Sequence, residues 1–457
     1  MNQLDAATST WERKLRVAEW LLVAIGIVLL FRSSVPAIES DGLVRLGTVQ
    51  SLFDDGPLSR GKFSIIQPLL ASPLYWLGSK FDRAEAFLAR YNFTVFVVLL
   101  VGLHGWLRRQ GHVAVARRTV LLLMCASMLP QATQHFFTEL TTLTLVVLGY
   151  LLFRAHRLAG GIVMAVGIAN SPALLPAFGV LMALEAWRQR RPSLLAFVLL
   201  PLAMGLLDNY FRNGAVFQSA YLADAEHGSR TILPYSGLPG FSYPLLFGLL
   251  SITFSLGRGL VFFTPALFLP LLSPWPPQSP ELRRLTGVLV LFTVVMVLTY
   301  ARWWAWYGGG AWGPRFFLLA TIPATLLLAS AMQQQAEGAG WRVLWLPAML
   351  ILSAWVSIQG FIWGTQDFAA CEQNDYALEL LCWYTPEFSA PWRQFASGFH
   401  VAERHHLRYG IWQAAVATYL LVLSLASVTP VLITQAQRVY RALRDTAHPG
   451  NSDRADN

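Results

Sequence analysis

Charge is what this 457-residue chain has least of. Only 13% of its residues are Asp, Glu, Lys or Arg, about half of the roughly 25% usual in soluble domains. That scarcity, with 55% hydrophobic residues and a mean hydropathy of +0.47, excludes an ordinary soluble domain. It marks an all-α polytopic membrane protein, to be read as one membrane domain with loops. Cysteine is nearly absent, with three in all. There is no GxGxxG, P-loop or HExxH, and so no signature of a soluble nucleotide site. There is no repeat of 20–50 residues, no soluble domain, and no low-complexity tract beyond the polar tail "HPGNSDRADN". No small-residue cleavage site follows the first apolar segment after "ERKLR", so that segment reads as a retained span. The net charge of +9 comes without a basic face or an aromatic RNA motif, so nucleic acid is not an expected partner. The bilayer is.

A spanning helix needs about 20 mostly apolar residues. Twelve candidates follow the chain: 17–32, 90–107, 119–134, 138–153, 160–170, 173–187, 193–209, 259–273, 285–300, 316–332, 342–363 and 411–432. The 160–170 piece is too short to span alone and joins 173–187 through the helix-breaking "NSP" (Asn170, Ser171, Pro172). The short basic loops "ERKLR", "RRQGHVAVARR", "RAHR", "RQRR", "ELRR" and "QRVYRALRD" are assigned to the cytoplasm. Loops 33–89, 210–258, 301–315 and 364–410 are longer, aromatic and mixed in charge, and are expected on the outer face. The division is a cytoplasmic segment 1–16, a transmembrane domain 17–432 and a cytoplasmic tail 433–457. Cys371 and Cys382 share one outer loop, "CEQNDYALELLC". A disulfide in an oxidising compartment is the favoured reading, with two unrelated thiols as the other. Cys125 lies in an apolar segment and reads as core.

The polar candidates gather on that outer face. "SDGLVRLGTVQSLF" reads as an interfacial amphipathic helix with Ser40 at its N-cap and Leu43, Leu46, Val49, Leu52 and Phe53 as its apolar stripe. It carries Asp41 at its start. A carboxylate there can take a proton from a hydroxyl nucleophile; the bland alternative is a solvated charge or a helix cap. Asp54 and Asp55 in "DDGP" read as turn formers. "IIQPLLASPLYWLG" is a second interfacial helix, too proline-broken to span. Glu139 in "HFFTEL" opens an apolar segment. It is a functional group by default at that depth, and equally a helix N-terminal acid favoured by the dipole. "SLGRGLVFF" sets Arg258 between two glycines, and "ARWWAWYGGGAWGPRFF" joins four tryptophans and four glycines to Arg302 and Arg315. Arginine's fork suits a phosphate. Tryptophan belts are ordinary at interfaces, but a belt does not need three consecutive glycines, which let backbone approach a ligand. His400, His405 and His406 form "HxxxxHH", too few ligands for a metal site to be expected.

On these residues the chain resembles the integral-membrane glycosyltransferases of the C superfamily, which use polyprenyl-phosphate sugars. It looks most like the bacterial branch related to dolichyl-phosphate-mannose protein mannosyltransferases. Asp41, "QPLLASPLYWLG", "FFTEL", "NYFRNGAVFQSAY", "SLGRGLVFFTPALFL" and "WYGGGAWGPRFFLLATIP" follow one another in the order and spacing of that family. "SLGRG" departs from it, with Leu256 where proline is expected. The resemblance implies sugar transfer, hexosyl or pentosyl, with inversion, at the outer face of the cytoplasmic membrane. The donor would be a polyprenyl-phosphate sugar and the acceptor a hydroxyl or amine on a glycolipid, polysaccharide or peptide. Asp41 would be the general base, with Glu139 as the second catalytic candidate. Physical inference adds Arg258, Arg315, Arg60 and Lys62 for the carrier phosphate, and Trp304, Trp306, Trp312 and Tyr221 for sugar or lipid. No cofactor is required by this reading, and divalent-cation dependence is left open. A transporter or flippase of lipid-linked sugars is the competing class; it would be expected to show internal repeats and broken helices near the midplane.

Overall fold

The computed structural model describes residues 3–34, 36–53, 63–217, 240–276, 278–309, 311–333, 340–364, 378–399 and 404–447. The described chain is an all-α polytopic membrane protein. Its only β-type pairing among those residues is an isolated bridge between Ala37 and His135. Among the described residues, six stretches are long and apolar enough to cross a bilayer: Ala84–Arg109, Pro192–Asn213, Pro280–Tyr300, Arg315–Gln333, Gly340–Trp363 and His406–Arg441. The count of twelve therefore rests on the sequence. Two expected spans differ in a way proline explains. The 259–273 segment breaks into helical turns at Leu260–Phe263 and Leu269–Leu272 around a 3-10 turn, Pro265–Phe268, because Pro265 and Pro270 lack the N–H a continuous helix needs. The 119–134 segment is a helix only over Val113–Cys125, followed by a single turn at Leu129–Ala132.

The Arg315–Gln333 stretch is the centre of the bundle, with 89% of its apolar window buried, against 11% for peripheral Pro192–Asn213. The tightest pairing joins Glu139–Ala155 to Arg157–Asn170. Glycines at the crossing let the two backbones touch: a Cβ on Gly160 would lie 2.1 Å from the Phe153 nitrogen and 2.6 Å from the Gly149 carbonyl. In lipid no hydrophobic drive separates helix from tail, so close approach of small residues carries the packing.

Each end of the bundle has its own polar network. At the end that carries the basic loops, Glu19 pairs with Arg117 and accepts the Tyr419 hydroxyl at 3.0 Å, joining the first helix, Gln3–Ser33, to the last, Arg404–Ala447. Glu185 accepts Arg284 at 2.5 Å, Tyr150 at 3.1 Å and Gln189 at 2.8 Å. At the other end, Arg90 donates to the Phe31 carbonyl at 2.7 Å and to Ser34 Oγ at 2.6 Å, closing the C-terminus of the first helix. The chain then turns into the helix Asp41–Ser51. Ser40 occupies the N-cap position with φ of 51°, but its side chain makes no capping bond. Of the expected stripe, Leu46 and Val49 are buried, whereas Leu43 and Phe53 are exposed. The second short helix is Ile66–Ser79, with Pro73 inside it.

Substitution Gly160→Ala is expected to lower stability by about 1–3 kcal/mol, because the atoms it meets are backbone. A lower unfolding temperature in detergent, followed by tryptophan fluorescence, checks this; an unchanged transition contradicts it.

Candidate functional site

The site begins with a stretch in which the helix is broken. Between Val113–Cys125 and Glu139–Ala155 the chain 126–138 runs mostly irregular and buried. Backbone at such depth needs partners from the protein itself. Asn92 supplies them, donating to the carbonyls of His135 at 2.6 Å and Phe137 at 2.9 Å. Gln67 adds a bond to Phe137 O at 2.9 Å. Gln134 donates to the Phe361 carbonyl at 3.3 Å, and its own carbonyl accepts Ala37 N at 2.9 Å. Asn170, at the "NSP" break, donates to Thr138 at 2.6 Å and Thr142 at 3.1 Å. Glu139 is thereby fixed at the first position of its helix, beside the start of the Asp41 helix.

Arg315 meets both acids. Its Nη2 lies 2.8 Å from Asp41 Oδ2 and its Nε 3.6 Å from Glu139 Oε1. The guanidinium also lies 4.8 Å from the centre of the Phe137 ring and 5.4 Å from that of Phe316, an arrangement in which ring faces favour the cation. Arg315 can reach this place because the glycine loop is compact. Gly308 has φ of +80° and a Cβ on it would lie 3.1 Å from Arg315 Cγ; Gly313 has φ of +67° and its Cβ would strike the Phe263 ring at 2.9 Å. Only glycine takes both the backbone angle and the space.

Arg258 holds that loop from behind. It is 1% exposed. Its Nη1 donates to the carbonyls of Ala311 and Gly313, and its Nη2 to Gly309 O at 2.7 Å. Burial and the like charge of Arg315 work against its charged form, while Glu379 supports it. Arg258 thus faces backbone carbonyls, and Arg315 is the arginine beside the carboxylates. Glu379, in the helix Glu379–Tyr384, is itself buried, and its carboxyl is pushed up to about 7. Burial is the chief cause; a hydrogen bond with Tyr307 and the charge of Arg258 pull the other way.

A pocket of about 390 Å³, counting space open to solvent, runs beside Arg315. Glu139, His135, Gln131, Asn92 and Trp312 are among its walls. His135 lies 3.2 Å from Glu39 through Nδ1 and 3.2 Å from the Gln131 amide nitrogen through Nε2. The hydrogen bond with His135 holds the Glu39 carboxyl below the usual range.

The remaining expected residues fall elsewhere. Trp312 reaches the pocket, with its indole N–H on Gln359 Oε1 at 2.8 Å. Trp306 is buried in an aromatic cluster with Tyr243, Tyr307, Trp383 and Tyr384. Trp304 stands next to Trp303, 6.5 Å between rings. Cys382 is buried and disulfide-bonded, and Cys125 is free and buried as expected. Arg60, Lys62, Tyr221, Cys371, Asp54, Asp55, His400 and the side chain of His405 lie outside the described residues. Among the described residues, no group of three or more His, Cys, Asp or Glu is set to hold a metal ion. Asn92, Gln67 and Gln131 were not foreseen; a lone amide inside an apolar segment was the signal available.

No protein-family model matches this chain, and no curated protein does. Two solved structures do. The crystal structure of ArnT from Cupriavidus metallidurans bound to undecaprenyl phosphate is 14% identical, with a TM-score of 0.50, covering 89% of this chain and 77% of that one. The apo ArnT structure from the same organism is also 14% identical, with a TM-score of 0.43, covering 92% and 78%. At this identity the likeness to the first speaks to the fold. The chain shares the polytopic all-α fold of that structure, as its apolar segments lead one to expect.

A carboxyl raised in the folded state, like that of Glu379, contributes stability that is complete below the ordinary carboxylate range and is lost as pH rises through about 7. The unfolding temperature is therefore expected to fall between pH 4.5 and about 7 and to level off above that, and Glu379→Gln to flatten that slope. An equal slope in the variant refutes the assignment.

Proposed function

We propose that this protein is a membrane glycosyltransferase that moves a sugar from a polyprenyl-phosphate carrier to an acceptor hydroxyl or amine. The observation that carries the reading is Arg315 held between Asp41 and Glu139 at one end of the most buried helix, in a fold shared with an ArnT that binds undecaprenyl phosphate. The site end is opposite the end bearing the basic loops. Short basic loops mark the cytoplasmic side, so we take the reaction to the outer face of the cytoplasmic membrane. A carrier with its tail in the bilayer presents phosphate and sugar at that depth.

The chemistry follows from charge. In the free site Asp41 is engaged by the Arg315 guanidinium. An arriving phosphodiester competes for the same arginine. Arg315 turns its fork to the phosphate oxygens, and Asp41 is freed to accept a proton. The acceptor oxygen or nitrogen attacks the anomeric carbon as its proton passes to Asp41. The bond from that carbon to the phosphate oxygen breaks, and the configuration inverts. Charge then gathers on the departing polyprenyl phosphate, where Arg315 stabilises it. Glu139 holds the other edge of Arg315. Arg258 keeps the glycine loop, and with it Arg315, in place. Arg60 and Lys62, from the first loop, are further candidates for the phosphate, and Trp312 for the sugar or lipid face.

Purified protein in nanodiscs, given a panel of polyprenyl-phosphate sugars and a membrane-lipid extract as acceptor, is expected to release free polyprenyl phosphate, read by mass spectrometry. Asp41→Asn should lower that rate by about 10²–10⁴-fold, and Arg315→Gln by about 10²-fold or more. Equal release by wild type and Asp41→Asn removes Asp41 as the base. Passage of labelled donor across liposomes without consumption favours the transporter class instead.

A further inference from the structure

Among the polar atoms on the walls of the pocket beside Arg315, three acceptor oxygens have no hydrogen-bond partner, as does His135 Nδ1, which faces Glu39 at 3.2 Å. Gln131 is 4% exposed and its Oε1 has no hydrogen-bond partner. Asn92 is 1% exposed and its Oδ1 has none, since its amide hydrogens go to backbone carbonyls. Glu139 Oε2 has none either. Three side chains that line one pocket thus each leave an acceptor oxygen unmatched. A buried acceptor without a donor is costly, so such a set points to a ligand that brings donors.

The orientation of Gln131 is not arbitrary. His135 Nδ1 lies 3.2 Å from Glu39 Oε1. On the other side of the ring, Nε2 lies 3.2 Å from the Gln131 amide nitrogen. The amide nitrogen of Gln131 is turned to His135, and its carbonyl oxygen is the end without a partner. Glu39 and His135 are positioning residues in this chain of bonds.

From this we infer that Gln131, oriented by Glu39 and His135, is a sugar-specificity residue: with Asn92 and Glu139 it accepts hydrogen bonds from ring hydroxyls of the sugar on the donor. The inference rests on the proposed reading of the function. Arg315, the proposed phosphate partner, forms part of the same pocket wall, and the sugar is joined directly to that phosphate, so the ring of the donor, not of the acceptor, reaches this wall. Its hydroxyls are neutral donors, which suits a pocket already carrying the Glu139 charge. Trp312, on the wall as well, offers an apolar face to the carbon side of the ring.

The test compares binding of bare undecaprenyl phosphate with undecaprenyl phosphate carrying mannose, glucose, galactose or a pentose, each to protein in nanodiscs. Wild type is expected to hold one sugar-bearing carrier about tenfold tighter than the bare one, the worth of a hydrogen bond or two. Gln131→Met, close in shape but without the acceptor, should reduce that ratio to about twofold or less while leaving the affinity for the bare carrier unchanged. If Gln131→Met keeps the wild-type ratio, or wild type binds bare and sugar-bearing carriers alike, the pocket is filled by water and the inference is overturned, with the transferase reading intact. If wild type binds no carrier at all, both fall together.

Discussion

A fully buried guanidinium is the constraint around which this structure is arranged. Arg258 cannot sit at 1% exposure without partners, because an unpaired buried charge is far too costly. Its partners are the carbonyls of Gly309, Ala311 and Gly313. Those carbonyls in turn belong to an irregular loop that a membrane interior does not tolerate unsatisfied. Each requirement answers the other. The loop they define delivers Arg315 to Asp41 and Glu139, and leaves Trp312 on the wall of the adjoining pocket.

The same logic recurs around the pocket. The irregular 126–138 stretch is held by amides, chiefly those of Asn92, Gln67 and Gln134. This division gives the site a rigid polar floor without charged side chains in its frame. The charged groups are then few and specific: one arginine, two acids in contact with it, and a Glu39–His135 pair alongside. The amides thereby satisfy irregular backbone that the bundle interior would otherwise leave unpaired.

Much of the architecture was legible in the sequence because apolar length and helix-breaking residues act locally. The helix over Asp41–Ser51, the break at Asn170–Pro172, the short helix Ile66–Ser79 and the buried Cys125 all follow from neighbouring residues. Arg258 shows the limit. Its setting between two glycines suited a phosphate site, yet its fork is spent on carbonyls about fifty residues away in the chain. Trp306 is similar: the sequence makes it one of a row of interfacial tryptophans, and the packing buries it against Trp383. Ser40 is the local counterpart, at the N-cap position but turned from the role its type predicts.

Composition and hydropathy by themselves determined that the chain is helical and membrane-spanning, and the order of its polar blocks determined which fold it takes. They could do so because burial in lipid selects on each segment's own apolarity and backbone satisfaction. Only the tertiary structure decided that Arg315, 274 positions from Asp41 along the chain, is the cation the two acids share, and that Gln131 and Asn92 face the same pocket. Those relations depend on how distant helices pack, on glycines that let backbones touch and on which buried group finds which partner. No property of a single segment encodes them.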